Sequence, residues 1–344
     1  MVGKILIRTP NHLGDCIMAL PMISECREAY PGSEISVLVP DMLKEIFSNN
    51  PGIDKIIPIP KAHIHGLISV MKVKEIIAGE NADLGYILPP SFGAAASFKL
   101  GGVKERIGYI ADGRRLLLTK PINLPEPINE VHRSELYFNL LLRGSNSSLS
   151  LVTPKLFLCD EDIETSEKIL SDFGIDQKDR FVTLAFRSVA ESRRWGTDNY
   201  VALIKRLISE SDFKIVLLGG PEDSAEGHKI SASAGNKEVL NLAGKTSIRE
   251  SAAVISHSEL FVGNDSGPAH LAASVGSPVV LISGADDPKE TSPISKNKEL
   301  LYLEELDCIS CVKNKCPKTG DDNMRCMTGI SVEMVFERIK GLSA

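Results

Sequence analysis

The chain predicts two consecutive α/β domains, each built on a parallel sheet. Two observations carry this. Short apolar runs alternate with helix-period segments at the spacing of βαβ units, and the alternation restarts after a small-residue stretch near the middle. At 344 residues the chain also exceeds the usual size of one core. Open parallel sheets bind ligands at the carboxyl ends of their strands, so the expected site is a central cleft that two such domains face.

In the first half, Lys4–Arg8 is a short apolar strand, followed by the turn Thr9-Pro10-Asn11-His12-Leu13-Gly14-Asp15. Ile17, Leu20, Ile23 and Cys26 share one helical face, and Pro31-Gly32 stops that helix. Strands are predicted at Glu34–Val39, Lys55–Ile59, Asp83–Leu88 and, shorter, Arg106–Tyr109. Helices are predicted at Met42–Ser48, Leu67–Ala78, Gly93–Leu100 and Val131–Arg143. Gly144-Ser145-Asn146-Ser147-Ser148 is the most linker-like segment, which places the boundary near residue 150.

The second half reads the same way. Strands are predicted at Phe181–Phe186, Lys214–Leu218, Val239–Leu242, Leu260–Val262 and Pro278–Ile282. Helices fall at Ile163–Phe173, Asn199–Ser209 and Glu222–Ala234. Ser247 with Glu250 forms a capping box that opens another, and Ser331–Lys340 is a final amphipathic helix. The halves share no sequence repeat. The expected domains are 1–150 and 151–330, with residues 331–344 packing back on the first domain.

Composition narrows the function. A net charge of −6 and 5% aromatics argue against a general nucleic-acid binder. The first residues have a charge in mid-run and no small-residue cleavage site, so they read as a strand and not a signal peptide. No apolar run approaches the ~18 residues that span a bilayer. The expectation is a cytoplasmic protein, at most peripheral to a membrane. No Gly-x-Gly-x-x-Gly follows the first strand, which argues against a nicotinamide-dependent oxidoreductase.

Five groups of residues can carry chemistry, and each has a plainer reading. Gly263-Asn264-Asp265-Ser266-Gly267-Pro268-Ala269-His270 joins a strand to a helix, where free N–H groups and the helix dipole suit a phosphate. The plainer reading makes Asp265 or Ser266 an N-cap and His270 a half-buried histidine. Asp15 follows the first strand and could serve as a general base, or be only a first-turn acid. Arg193-Arg194-Trp195 offers two guanidinium groups to a pyrophosphate, or is a basic turn anchored by the sole Trp. Leu218-Gly219-Gly220-Pro221-Glu222 resembles a ribose-binding corner, or is a tight βα turn. Ser91, Lys99, Arg106 and Arg114 form a basic, glycine-rich run that could receive an anionic acceptor, or are solvated.

Cysteines are a separate matter. Cys308-x₂-Cys311-x₄-Cys316-x₉-Cys326 could hold a structural Zn²⁺, though the spacing is not that of a standard finger. Free thiols in a reducing compartment are the competing reading.

Taken together, these motifs resemble a family: the bacterial ADP-heptose:lipopolysaccharide heptosyltransferases of glycosyltransferase family 9. The matching residues are Ile5-Leu6-Ile7-Arg8 with His12-Leu13-Gly14-Asp15, Leu88-Pro89 to Ser91-Phe92, and Gly101-Gly102-Val103. Arg106-Ile107-Gly108-Tyr109, His132 with Tyr137, Asn264 to His270, and the cysteine-rich tail continue the match. The resemblance implies a GT-B fold with two Rossmann-like domains. It also implies inverting transfer of a heptose from ADP-heptose to the lipopolysaccharide inner core, with no catalytic metal. Asp15 would be the catalytic base. Arg193, Arg194, Glu222, Asp265, Ser266, Gly267, His270 and Arg187 would bind the donor. His12, Gly14, Ser91, Lys99, Arg106 and Arg114 would bind the acceptor, Kdo-lipid A or a heptosylated core, at the inner face of the inner membrane. Another nucleotide-sugar donor, or a sugar-nucleotide epimerase on the same fold, is the alternative. Two departures stand out: Ala185-Phe186-Arg187 replaces the family's Pro-Gly-Ala, and Arg193-Arg194-Trp195-Gly196 replaces its Lys-Arg-Trp-Pro.

Overall fold

Ile5-Leu6-Ile7 is too short and too uniformly apolar for a surface helix, and it forms the buried strand β1 (Lys4–Arg8). The protein is described here from a computed structural model covering residues 2–64, 66–235 and 238–343. After β1 the chain runs through α1 (Leu13–Ala29), β2 (Glu34–Pro40), a 3₁₀ segment Asp41–Phe47, β3 (Lys55–Ile59) and α2 (Leu67–Ala78). It continues through β4 (Leu84–Ile87), α3 (Phe92–Leu100), β5 (Glu105–Tyr109), β6 (Lys120–Ile122) and α4 (Arg133–Ser145). The sheet is parallel throughout, in the order β3-β2-β1-β4-β5-β6. One face packs Leu6, Leu38, Ile57 and Ile87 against Val73 and Ile77 of α2 and Phe98 of α3. Successive strand residues point to opposite faces, and α1 packs with α4.

The second unit begins with α5 (Asp160–Asp172), β7 (Phe181–Ala185), α6 (Thr197–Glu210), β8 (Lys214–Leu218), α7 (Ser224–Ala234) and β9 (Val239–Asn241). It continues with α8 (Ile248–Ser256), β10 (Leu260–Asn264), α9 (Gly267–Ser274), β11 (Val279–Ile282), α10 (Pro288–Thr291), β12 (Lys298–Leu301), α11 (Arg325–Thr328) and α12 (Val332–Ser343). Its parallel sheet runs β12-β11-β10-β7-β8-β9. Counted from its own first strand, that is the order of the first sheet. In both units the order reverses between the first and fourth strands, and loops leaving the sheet there open a crevice for ligands.

Several expectations are corrected. The chain divides between Phe157 and Leu158. Gly144 and Ser145 are not linker: they end α4, and a Cβ at Gly144 would collide with the Tyr86 ring of β4. Edge strands β6 and β12 went unread because they are short and half-buried; β6 holds Pro121 and β12 starts on Lys298-Glu299. The final helix does not reserve its apolar stripe for the first domain. Val335, Phe336 and Ile339 of α12 are buried in the second unit's core with Trp195, Tyr200 and Leu203. Arg206 of α6 lies 4.0 Å above the Phe336 ring. The capping box is present as read: Glu250 N–H donates to Ser247 Oγ at 3.1 Å, and Ser247 N–H to Glu250 Oε2 at 2.7 Å.

Candidate active site

In the first unit, the loop after β1 lies at the reversal of strand order. α1 begins at Leu13, earlier than the apolar periodicity suggests, so Asp15 stands in its first turn. Helix-terminal N–H groups favour an anion there. Tyr137, buried on α4, donates its hydroxyl to Asp15 Oδ1 at 3.2 Å. Burial and the Asp15 charge hold the Tyr137 phenol well above its ordinary range, so it remains a donor. Asp15 itself is only partly buried. His12 is the exposed N-cap, with no side-chain capping bond, and Gly14 is half-buried beside Asp15.

Beneath this loop is an arginine the sequence reading passed over. Arg8, 5% exposed, donates Nη1 to the Thr9 carbonyl at 2.6 Å and Nη2 to Asn11 Oδ1 at 2.6 Å. It shapes the turn that carries His12 to Asp15. Burial lowers it to about 10, so it stays charged at neutral pH.

The basic run meant for an acceptor does not form one patch. Ser91 caps α3 by accepting the Ala94 N–H at 3.3 Å, and it is exposed at the carboxyl end of β4. Lys99 lies in the last turn of the same helix, and therefore at the opposite edge of the sheet. Arg106, near the start of β5, also lies at that far edge. It donates to the carbonyls of Leu117 at 2.7 Å, Val103 at 2.6 Å and Lys104 at 3.0 Å. Arg114 is wholly buried. It donates Nε to the Tyr109 carbonyl at 2.8 Å, Nη1 to that of Pro89 and, at 3.5 Å, Nη2 to that of Ile87. These bonds satisfy carbonyls left open where β4 and β5 end. Arg106 and Arg114 are thus structural, and Lys99 is remote from the strand-end loops. Of the charged candidates expected for the acceptor, none remains at the carboxyl edge with a free cation.

In the second unit, β10 ends on the signature stretch. Asn264 is fully buried and accepts the Trp195 N–H on Oδ1 at 3.0 Å. Asp265 is 3% exposed; its N–H continues the ladder to Ile282, and its Oδ2 accepts the Ser283 hydroxyl at 2.9 Å. Burial and then the nearby Asp286 raise its carboxyl to about 7. Ser266 is the extended N-cap of α9, with its hydroxyl on the Asn264 carbonyl at 3.1 Å, and Pro268 sits in the first turn. Gly267 starts the helix, whose first N–H groups have no preceding turn to donate to. His270 lies in that turn and is buried.

Arg193 arrives from the loop after β7, on the other side of β10 from β11. Its Nη2 meets Asp286 Oδ1 at 2.7 Å, and its Nε is buried without a partner. Burial pushes Asp286 up to about 6 against the pull of Arg193. Arg194 instead holds its own loop, donating Nε to the Ser188 carbonyl at 2.8 Å. Trp195 is an anchor: Nε1–H reaches the Ile330 carbonyl at 2.7 Å, and Tyr200 packs edge-on at 5.1 Å. Gly196 has φ +106°, a conformation closed to proline.

Arg187 does not offer a free cation. It pairs with Glu226 and, at 3.2 Å, with Asp223, whose other oxygen accepts the Gly220 N–H at 2.9 Å. Glu222, one residue away, is exposed at the end of β8. Thus Arg193, Asp265, Ser266, Gly267 and His270 gather where β10 ends, while Arg187 and Glu222 stand towards β8. Sequence reasoning missed Asp286 and Ser283. The signal was present: both follow a buried strand at its carboxyl end.

The cysteine loop buttresses this region. Lys313 and Asn314 carbonyls accept the Ser192 hydroxyl and N–H, the latter at 3.2 Å, beside Arg193. Ser310 and Val312 N–H groups bond Gly284 and Ala285 carbonyls, and Met324 N–H bonds Cys316 Sγ at 3.3 Å. Burial and then the charges of Cys311, Cys308 and Cys316 push the Cys326 thiol up. Even so, among the described residues no three His, Cys, Asp or Glu side chains are placed to hold a metal ion, and all four thiols are free. Hydrogen bonds to the loop after β11 order this cysteine loop.

Comparison with known proteins first defines the class. Solved structures of heptosyltransferase II from E. coli and of a glycosyltransferase family 9 protein from Veillonella parvula share the fold, with TM-scores of 0.82 and 0.85 at 23% and 22% identity. Each alignment covers 99% of this chain, and 98% and 97% of the respective neighbour. The fold is GT-B. The family profile of glycosyltransferase family 9 (heptosyltransferase) matches residues 70–320, and the chain belongs to that family. Among curated relatives, lipopolysaccharide heptosyltransferase 2 of Salmonella typhimurium is 26% identical over 316 residues, covering 87% of this chain and 88% of that protein. Lipooligosaccharide heptosyltransferase 2 of Haemophilus influenzae is 25% identical over 350 residues, covering 99% of both. The protein is a glycosyltransferase.

Proposed function

We propose that this enzyme transfers a heptose from ADP-heptose to the inner core of lipopolysaccharide, with inversion at the anomeric carbon. The observation that carries this reading is Asp15: a half-exposed carboxylate at the strand-order reversal, oriented by a buried tyrosine hydroxyl. A general base needs an open lone pair and a fixed direction, and Tyr137 fixes one oxygen while leaving the other.

In this reading Asp15 takes the proton of an acceptor hydroxyl as its oxygen attacks the anomeric carbon. The bond from that carbon to the diphosphate breaks, and ADP leaves with the electron pair. The second unit receives the growing negative charge through Arg193 and the α9 N-terminus at Ser266 and Gly267, with His270 beside them. Glu222, exposed after β8, takes the adenosine ribose. His12, Gly14 and Ser91 border the acceptor. Arg187, Arg194 and Asp265 support the donor loops from behind. No catalytic metal takes part. Names of the curated relatives favour the second inner-core heptose and a heptosylated acceptor over Kdo-lipid A. A lipid-anchored acceptor puts the enzyme at the inner face of the inner membrane; no helix among the described residues is long and apolar enough to cross one.

The test is a donor-by-acceptor transfer assay read by mass spectrometry. ADP-heptose with a heptosylated core acceptor should give ADP and a product heavier by one heptose. A different transferred mass, or an epimerised sugar released without acceptor, overturns the reading.

A further inference from the structure

We propose that Asp286 is a positioning residue: it holds the Arg193 guanidinium so that Nε–H faces the diphosphate of the donor. This rests on the donor reading above and adds a residue that reading does not use.

Arg193 and Asp286 come from opposite sides of β10. Arg193 leaves the loop after β7 and Asp286 the loop after β11, so their contact bridges the end of the central strand, over Asp265. Nη2 lies 2.7 Å from Asp286 Oδ1. Asp286 is 6% exposed, so the pair is shielded from water on the carboxylate side. The Ser192 hydroxyl on the Lys313 carbonyl and the Ser192 N–H on the Asn314 carbonyl hold the base of the arginine. An arginine tethered at both ends has lost most of its rotamer freedom before a ligand arrives.

The unmet group is Nε. It is buried and no acceptor reaches it. A buried N–H without a partner is costly, so it is rare in a native structure unless a ligand completes it. An anionic phosphate oxygen beside the α9 N-terminus would do so with a charge-assisted bond.

Asp286 also neutralises part of the charge it positions, and the surrounding groups decide the balance. Facing the pair are Asp265, Glu290 and Lys298. Burial and then the Asp286 charge raise Asp265 to about 7, so part of the negative charge beneath the arginine is neutralised by protonation at neutral pH. Fixed direction therefore outweighs the partial neutralisation, as for other preorganised donors in buried sites.

The experiment compares ADP with adenosine by titration calorimetry on the full-length protein. Wild type should bind ADP more tightly than adenosine. In Asp286→Asn, ADP affinity should fall about tenfold, the equivalent of ~1.4 kcal/mol, while adenosine binding stays within twofold. Asp286→Glu should restore part of the loss. Arg193→Ala and the double variant with Asp286→Asn should bind ADP equally weakly, since Asp286 acts through Arg193. Wild-type ADP affinity in Asp286→Asn, an equal loss of ADP and adenosine, or additive losses in the double variant would each overturn the proposal. A wild type that binds ADP no better than adenosine overturns the donor reading itself.

Discussion

The two units share a strand order but place their charges in opposite ways. At the carboxyl edge of the first sheet the buried ions are arginines. Arg8 and Arg114 bond backbone carbonyls, and the carboxylate, Asp15, is left half-open. At the same edge of the second sheet the buried ions are carboxylates. Asp265 and Asp286 lie beneath the surface, and an arginine, Arg193, reaches outward from them. One topology thus presents a base in one half and a cation in the other. The difference comes from loop residues, since the sheets supply only the platform.

The sharpest way to break this comparison is at the open carboxylate. Asp15→Asn should lower turnover about 10³-fold, the scale of a lost general base, while ADP affinity, assigned to the second unit, stays unchanged. Near-normal turnover in a coupled ADP-release assay would remove the base from the first unit.

Next in size is the buried arginine. Arg114→Leu leaves the carbonyls of Tyr109, Pro89 and Ile87 without their donor. Denaturant titration should show a loss of about 3 kcal/mol. Arg115→Ala, at the exposed neighbour, should stay within about 0.5 kcal/mol. Equal effects would mean that Arg114 does not hold the strand ends.

The buried carboxylate gives a pH signature. Asp265 has a folded pKa near 7, raised above its unfolded value. Its contribution to stability is therefore present below the unfolded value and lost as pH rises through about 7. Asp265→Asn removes the cost of ionising it. The variant should gain on the order of 2 kcal/mol relative to wild type at pH 8 and little at pH 4. A stability difference that does not vary with pH would place the carboxyl in a more solvated setting.

The smallest effect concerns orientation. Tyr137→Phe removes one hydrogen bond, about 1 kcal/mol, or roughly fivefold in turnover. The loss should fall in kcat, with ADP affinity unmoved.

Much of the site was readable because it follows a positional rule. Asp15, Glu222, Arg193 and Asp265 to His270 all lie just after a buried strand, where the fold class puts ligands. Lys99, Arg106 and Arg114 were grouped by charge alone, and charge does not say which edge of a sheet a residue occupies. Lys99 and Arg106 fall at the opposite edge, and Arg114 turns inward. Arg187 was offered to a phosphate, but Asp223 and Glu226 on the neighbouring segment claim it. Partners of that kind are distant or unsignalled in the chain.

By itself, then, the sequence determined the alternation of strands and helices, the division into two α/β units and the strand-end loops that hold chemistry. Those follow from local periodicity, capping and turn residues, which act within a few positions. Only the tertiary structure decided which arginines are buried on carbonyls, that α12 completes the second core and that Asp286 meets Arg193. The turn of Arg114 onto Pro89 and Ile87, the packing of α12 and the Asp286–Arg193 pair each join residues tens to more than a hundred positions apart, set by how strands are ordered and faces are packed.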